Sequence, residues 1–171
     1  MQKIEFIKMH GLGNDFVIID KRFNDIEIND YIIQKLADRK TGAGCDQVIT
    51  INESEHKNSD VTIDIFNASG DRAEACGNGT RCVAKLLFKE NNDLDKIKIS
   101  SDAGILMAEK KGNNISVNMG KVSINWKDIP LSEEMDTLNI PLHIEGLSRG
   151  VAVNIGNPHV VFFGKNIDQL N

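Results

Sequence analysis

Cys76 is followed by Gly77, Asn78 and Gly79 and then by an apolar run, an order that places a thiol at the start of a helix. Unpaired backbone N–H groups and the helix dipole favour a thiolate there, which predicts a lowered thiol pKa. The same N–H groups can hold a carboxylate, and glycines at 77 and 79 let an anion approach the main chain. A reactive thiol beside a carboxylate cradle suits one task, the removal and return of the α-proton of an amino acid. The competing reading makes Cys76 a small buried residue next to a glycine turn. Residue types alone leave the two level.

The other two cysteines read differently. Cys82 falls about 240° around the helix axis from Cys76, so the two thiols share no face and Cys82 reads as structural. Cys45 sits in a glycine-rich loop, Thr41-Gly42-Ala43-Gly44-Cys45-Asp46-Gln47, and reads as structural too. There is no Cys-x-x-Cys, and His10, His56, His143 and His159 are scattered, so no metal site is expected. Four amides stand in turn-like settings: Asn14, Gln47, Asn67 and Asn157. Each alone is more often a turn former; together, uncharged amides can bind the carboxylate and ammonium of a zwitterion. His159, read alone, is an ordinary half-buried histidine, with general acid/base work as the alternative. Gly11-x-Gly13 and Gly42-x-Gly44 complete no nucleotide-binding pattern, and nothing marks a Schiff-base lysine for pyridoxal phosphate.

These residues need elements to hold them. Short or alternating apolar runs at 4–9, 16–20, 47–51, 61–66, 97–100, 105–109, 115–119, 150–155 and 159–163 predict strands. One helix is expected after Asn29 or Asp30, carrying Ile33, Leu36 and Ala37, with Gly42 just past its end. A second is expected to begin near Gly77–Gly79 and to run from Thr80 to about Glu90. Its Cys82, Val83, Ala84, Leu86, Leu87 and Phe88 cover most of the circumference, so it should be buried inside a curved sheet. Residues 122–142 change character, with Trp126, two of the three prolines and weak periodicity, which sets a boundary near Gly120. Residues 1–120 then form one domain, and 121–171 hold few residues for a core of their own.

Bulk properties exclude several classes. A net charge of -5 with spread lysines and arginines gives no footprint for nucleic acid. No apolar run is long enough for a membrane span, and Lys3, Glu5, Lys8 and His10 interrupt any signal-peptide core. A cytoplasmic setting with reduced thiols follows as an expectation.

Five motifs occur in one order: Lys8-Met9-His10-Gly11-Leu12-Gly13-Asn14-Asp15-Phe16, Gly44-Cys45-Asp46-Gln47, Phe66-Asn67-Ala68-Ser69-Gly70, Ala75-Cys76-Gly77-Asn78-Gly79-Thr80-Arg81-Cys82 and Gly156-Asn157-Pro158-His159. In that order they resemble the diaminopimelate epimerases. The resemblance implies an α+β fold, a lobe with a mixed or antiparallel sheet wrapped around a central helix, followed here by an incomplete second lobe. It implies a cofactor-independent isomerase that interconverts LL- and meso-2,6-diaminopimelate with two cysteines, for lysine and peptidoglycan synthesis. Cys76 would be one acid/base thiol, and Gly77 and Asn78 would offer backbone N–H groups to the reacting carboxylate. Asn14, Gln47, Asn67 and Asn157 would line the substrate cavity, and His159 would support the proton transfer. The partner is the small molecule diaminopimelate, and the family admits a homodimer. Two departures touch none of these residues: Cys45 stands where many relatives carry an aromatic, and Asp71-Arg72 where a Ser-Glu pair is common.

Family members continue through a second half with another Cys-Gly motif. The 171 residues therefore read as an incomplete form, expected to be inactive alone. Two other readings are a related racemase or isomerase of proline racemase or phenazine-biosynthesis type, and a non-catalytic binding remnant.

Overall fold

The computed structural model describes residues 3–23, 26–54, 56–142, 144–165 and 167, so His143 lies outside the described residues. The chain divides into two compact units, Met1–Met119 and Gly120–Asn171.

The first unit is a seven-stranded mixed sheet in sequence order, β1 (Ile7–Gly11), β2 (Asn14–Asp20), β3 (Gln47–Glu53), β4 (Val61–Asn67), β5 (Lys96–Ser101), β6 (Gly104–Lys111) and β7 (Asn114–Asn118). The β2–β3 and β4–β5 pairs are parallel and the rest antiparallel. Parallel neighbours need crossovers, and these carry the helices α1 (Asp30–Ala37) and α2 (Gly77–Glu90).

The period-2 alternation of the strands sorts side chains to the two faces. Phe16 and Ile18, Ile49 and Ile51, Val61, Ile63 and Ile65, and Ile97 and Ile99 pack with Val83, Ala84, Leu87 and Phe88 of α2. The opposite face of β2 and β3, with Val17, Ile19 and Val48, packs with Ile33 and Ala37 of α1. Burial on both sides makes 16–19 one continuous apolar run. Helix α2 also lies against both edge strands, β1 and β7, so the sheet curls around it. Arg81, Lys85 and Lys89, at i, i+4 and i+8, are its open seam. A groove of about 350 Å³ runs along that seam between His10–Leu12 and Asn113–Ile115.

The end of α1 shifts from expectation for a local reason. Asn29 caps α1, its side chain accepting from the Ile32 N–H at 3.0 Å. The helix ends at Ala37 because the Asp38 carboxylate turns to accept from the Lys40 and Thr41 N–H groups. Gly42 comes later and fits under the helix end, where a Cβ would stand 2.0 Å from the Lys35 carbonyl oxygen. Helix α2 starts at Gly77, within the expected Gly77–Gly79 start, so both glycines lie inside its first turn.

The second unit holds the hairpin β8 (Val151–Asn154) and β9 (Pro158–Val161) and a 3-10 turn at Trp126–Asp128. Its core among the described residues is Ile129, Ile140 and Ala152, with Leu131 and Met135 packed against them. No helix among the described residues is long and apolar enough to cross a membrane.

Candidate active site

Strand direction gathers the first unit's candidates at one end of the sheet. Strands β2 and β3 run parallel, so Asn14 and Gln47 both stand at strand starts on the same side. Strand β4 runs back and ends there, with Asn67 directly opposite Gln47. The start of α2 meets them, because a Cβ on Gly11 would stand 3.2 Å from the Asn78 carbonyl oxygen.

Cys76 is the N-cap of α2, with extended backbone (φ -147, ψ 99), and its sulfur accepts from the Gly79 N–H at 3.4 Å. A sulfur cap is a weak acceptor compared with the usual Ser, Thr, Asp or Asn. Position 79 is closely packed: a Cβ there would come within 2.6 Å of Ile49 Cδ1 and 3.4 Å of the Phe16 ring. Sγ also lies 3.6 Å from Asn14 Oδ1, to which the thiol donates.

The thiol is half-buried, and burial pushes its pKa up from the ordinary cysteine value. The Gly79 and Asn78 N–H groups and the Arg81 guanidinium pull the other way but do not prevail, and the Asp46 carboxylate adds to the rise. The lowered pKa expected from the helix start alone is thereby corrected. Desolvation disfavours the thiolate more than two N–H groups favour it.

Gly77 and Asn78 occupy the first turn, where main-chain N–H groups lack intrahelical acceptors. The Asn78 side chain is engaged elsewhere, its Oδ1 accepting from Arg81. Gln47 donates through Nε2 to Asn67 Oδ1 at 3.1 Å, and Asn67 donates to Asp71 at 2.6 Å. The Gln47 Oε1 is buried and has no protein partner, so it is an acceptor available to an N–H-bearing ligand.

Cys45 and Cys82, 2% and 4% exposed, are enclosed in the two apolar clusters of the first unit, and burial raises both pKa values. Asn157 and His159 belong to the second unit. The Asn157 Oδ1 and His159 Nε2 are 2.9 Å apart at the β8–β9 turn, and His159 borders an apolar groove with Ile129, Leu131 and Ile140. No cluster suited to a metal ion occurs among the described residues.

Sequence reasoning missed a charged network around Asn14. Asn14 Nδ2 donates to Asp46 Oδ2 at 2.9 Å. Arg39 bridges Asp46 and Asp15 at 2.7 and 2.8 Å, and Lys8 adds a 2.8 Å bond to Asp15. The one available hint was the placement of Asp15 and Asp46 directly beside candidate amides.

The family described as diaminopimelate epimerase matches residues 6–125. A diaminopimelate epimerase of Zymomonas mobilis subsp. mobilis is 44% identical over 166 residues, covering 97% of this chain and 59% of its own length. One of Wolbachia sp. subsp. Drosophila simulans is 46% identical over 168 residues, covering 96% and 61%. The chain thus spans about three-fifths of the length of the curated relatives it matches. Among solved structures, a hydroxyproline epimerase from Agrobacterium vitis aligns with a TM-score of 0.65 at 11% identity, over 92% of this chain and 50% of its own. A phenazine biosynthesis protein of the PhzF family from Bacillus anthracis aligns with a TM-score of 0.63 at 21% identity, over 98% and 58%. At such identities the likeness is one of fold: an α+β lobe with its sheet curled around a helix.

Proposed function

Because the chain belongs to the diaminopimelate epimerase family, we propose that Cys76 is one of two acid/base thiols in a cofactor-independent interconversion of LL- and meso-2,6-diaminopimelate. The observation that carries this reading is the placement of Cys76 as the N-cap of α2, half-buried and in contact with Asn14. Inversion at carbon needs a proton taken from one face and another delivered to the opposite face. As the α-proton leaves, charge develops on the substrate carboxylate, and donors already aimed at it at the first turn of α2 lower the barrier. Gly77 and Asn78 are assigned that role. Asn14, Gln47 and Asn67 are assigned the polar ends of the substrate, with the buried Gln47 Oε1 suited to an ammonium. Asn157 is assigned to substrate contact and His159 to support of proton transfer, on the resemblance of 156–159 to the family motif.

Neither Cys45 nor Cys82 serves as the second base, since each is enclosed in a core. The second thiol is therefore assigned to the part of the relatives that these 171 residues do not match. A polypeptide limited to residues 1–171 should form no meso product from the LL substrate, whereas a chimera carrying the remaining part of the Zymomonas relative should. In the chimera, Cys76→Ala should lower kcat by about 10²–10⁴, the usual weight of a general acid or base. Turnover by residues 1–171 alone, or an unimpaired Cys76→Ala chimera, would overturn the assignment. So would a chimera that racemises proline and leaves diaminopimelate untouched. A cytoplasmic homodimer is the setting proposed, on the resemblance.

A further inference from the structure

Asn14 stands between the half-buried thiol and a clamped carboxylate. Its Nδ2 donates to Asp46 at 2.9 Å, and its Oδ1 lies 3.6 Å from Cys76 Sγ. A primary amide has one donating end and one accepting end. The end that faces sulfur is therefore decided at the far side. An ionised carboxylate only accepts, so Asp46 takes the NH₂ and leaves the carbonyl oxygen toward the thiol. Asp46 is itself fixed by Arg39 at 2.7 Å and by the Asp15 backbone N–H at 3.0 Å.

We infer that Asp46 is a positioning residue: by orienting the Asn14 amide it holds Cys76 in the S–H form. The thiol donates to Oδ1, whereas a thiolate would face the negative end of the same carbonyl and lose the bond. The other groups around the sulfur are accounted for. From α2, the Gly79 and Asn78 N–H groups and Arg81 favour the thiolate. Asp46 opposes it, and Cys82 stands nearby as a buried neutral thiol. The Asp15 charge is compensated by Lys8 and Arg39, and Phe16 and Ile49 form the apolar wall at Gly79. The inference builds on the reading of Cys76 as an acid/base thiol and makes it the proton donor at the outset. Its S–H bond breaks as the new C–H bond forms on the substrate carbanion, leaving a thiolate.

The test is iodoacetamide alkylation of Cys76 in the 171-residue chain, followed peptide by peptide by mass spectrometry from about pH 6 to pH 10. Asp46→Asn can donate to Asn14 Oδ1, which frees the amide to turn its NH₂ toward sulfur. The alkylation midpoint should fall by at least about half a pH unit, with at least about threefold faster reaction near pH 7.5. Asp46→Glu, which keeps an accepting carboxylate, should stay near the parent profile. Asn14→Ala removes the acceptor and should lower the midpoint as well. In the Asn14→Ala background, Asp46→Asn should add much less than it does alone. Cys45 and Cys82 report folding, since they react only when the cores open. Fully additive shifts in the double variant would overturn the inference, and so would an unmoved midpoint in Asn14→Ala, which can be read even where Asp46→Asn fails to fold. Turnover is not the readout, so this outcome and that of the epimerase reading stay separate.

Discussion

Asp15 sits between the Lys8 ammonium and the Arg39 guanidinium, and hydrogen bonds from both hold its carboxyl well below the usual carboxylate range. Asp46, which accepts from Asn14 and the Asp15 N–H, is lowered as well. A depressed folded-state pKa contributes stability that is fully present above the unfolded value of about 4 and is lost as pH falls below it. The urea midpoint of the 171-residue chain should therefore drop from about pH 4 downward. Asp15→Asn should be less stable at neutral pH and show a shallower drop over that acid range; parallel curves for the two proteins would contradict the network's role. The motifs had exposed Cys76, Asn14, Gln47 and Asn67 as candidates, because each carries its chemistry in its own residue type. Arg39 and Asp15 are separated by 24 residues, and nothing local tells that they meet. The direction of the Cys76 pKa shift was illegible for the same reason: a helix start is a local fact, and burial is not.

At the scale of elements, the β1–β2 hairpin closes through Leu12 and Gly13, with Gly11 paired to Asn14. Both turn residues have positive φ, 55° and 90°, as a two-residue turn of this hand requires. Leucine resists the left-handed region, at a cost of roughly 1–2 kcal/mol, and at 91% exposure Leu12 recovers nothing by burial. Leu12→Asn should raise the stability of the first unit by up to about 1 kcal/mol in denaturant titrations, because asparagine tolerates that conformation. A loss of stability would show that the leucine is held by contacts of its own. The strands and both helices were legible in the apolar periodicity of the sequence. The end of α1 was less so, because it is set by capping: the Asp38 carboxylate stops the helix.

For the molecule as a whole, the two units differ sharply in what they bury. Isoleucines on four strands and on α1 are enclosed in the first, each worth roughly 1.5–3 kcal/mol, while the second, among the described residues, encloses Ile129, Ile140 and Ala152. Amides of β8 and β9 should exchange with deuterium at least about a hundredfold faster than those of β3 and β4. Equal protection in the two units would mean that they open together. The wrapped helix was legible because its apolar residues leave only the Arg81, Lys85 and Lys89 seam uncovered. The joint approach of β1 and β7 to that helix was not, since it depends on the curl of seven strands. That closure has a consequence in time. During synthesis α2 is complete at Glu90, yet its last wall, β7, ends about thirty residues later. Through that interval a nascent chain presents Val83, Leu87 and Phe88 beside an unfinished sheet, and this is the stage at which the lobe is most open to aggregation or chaperone capture.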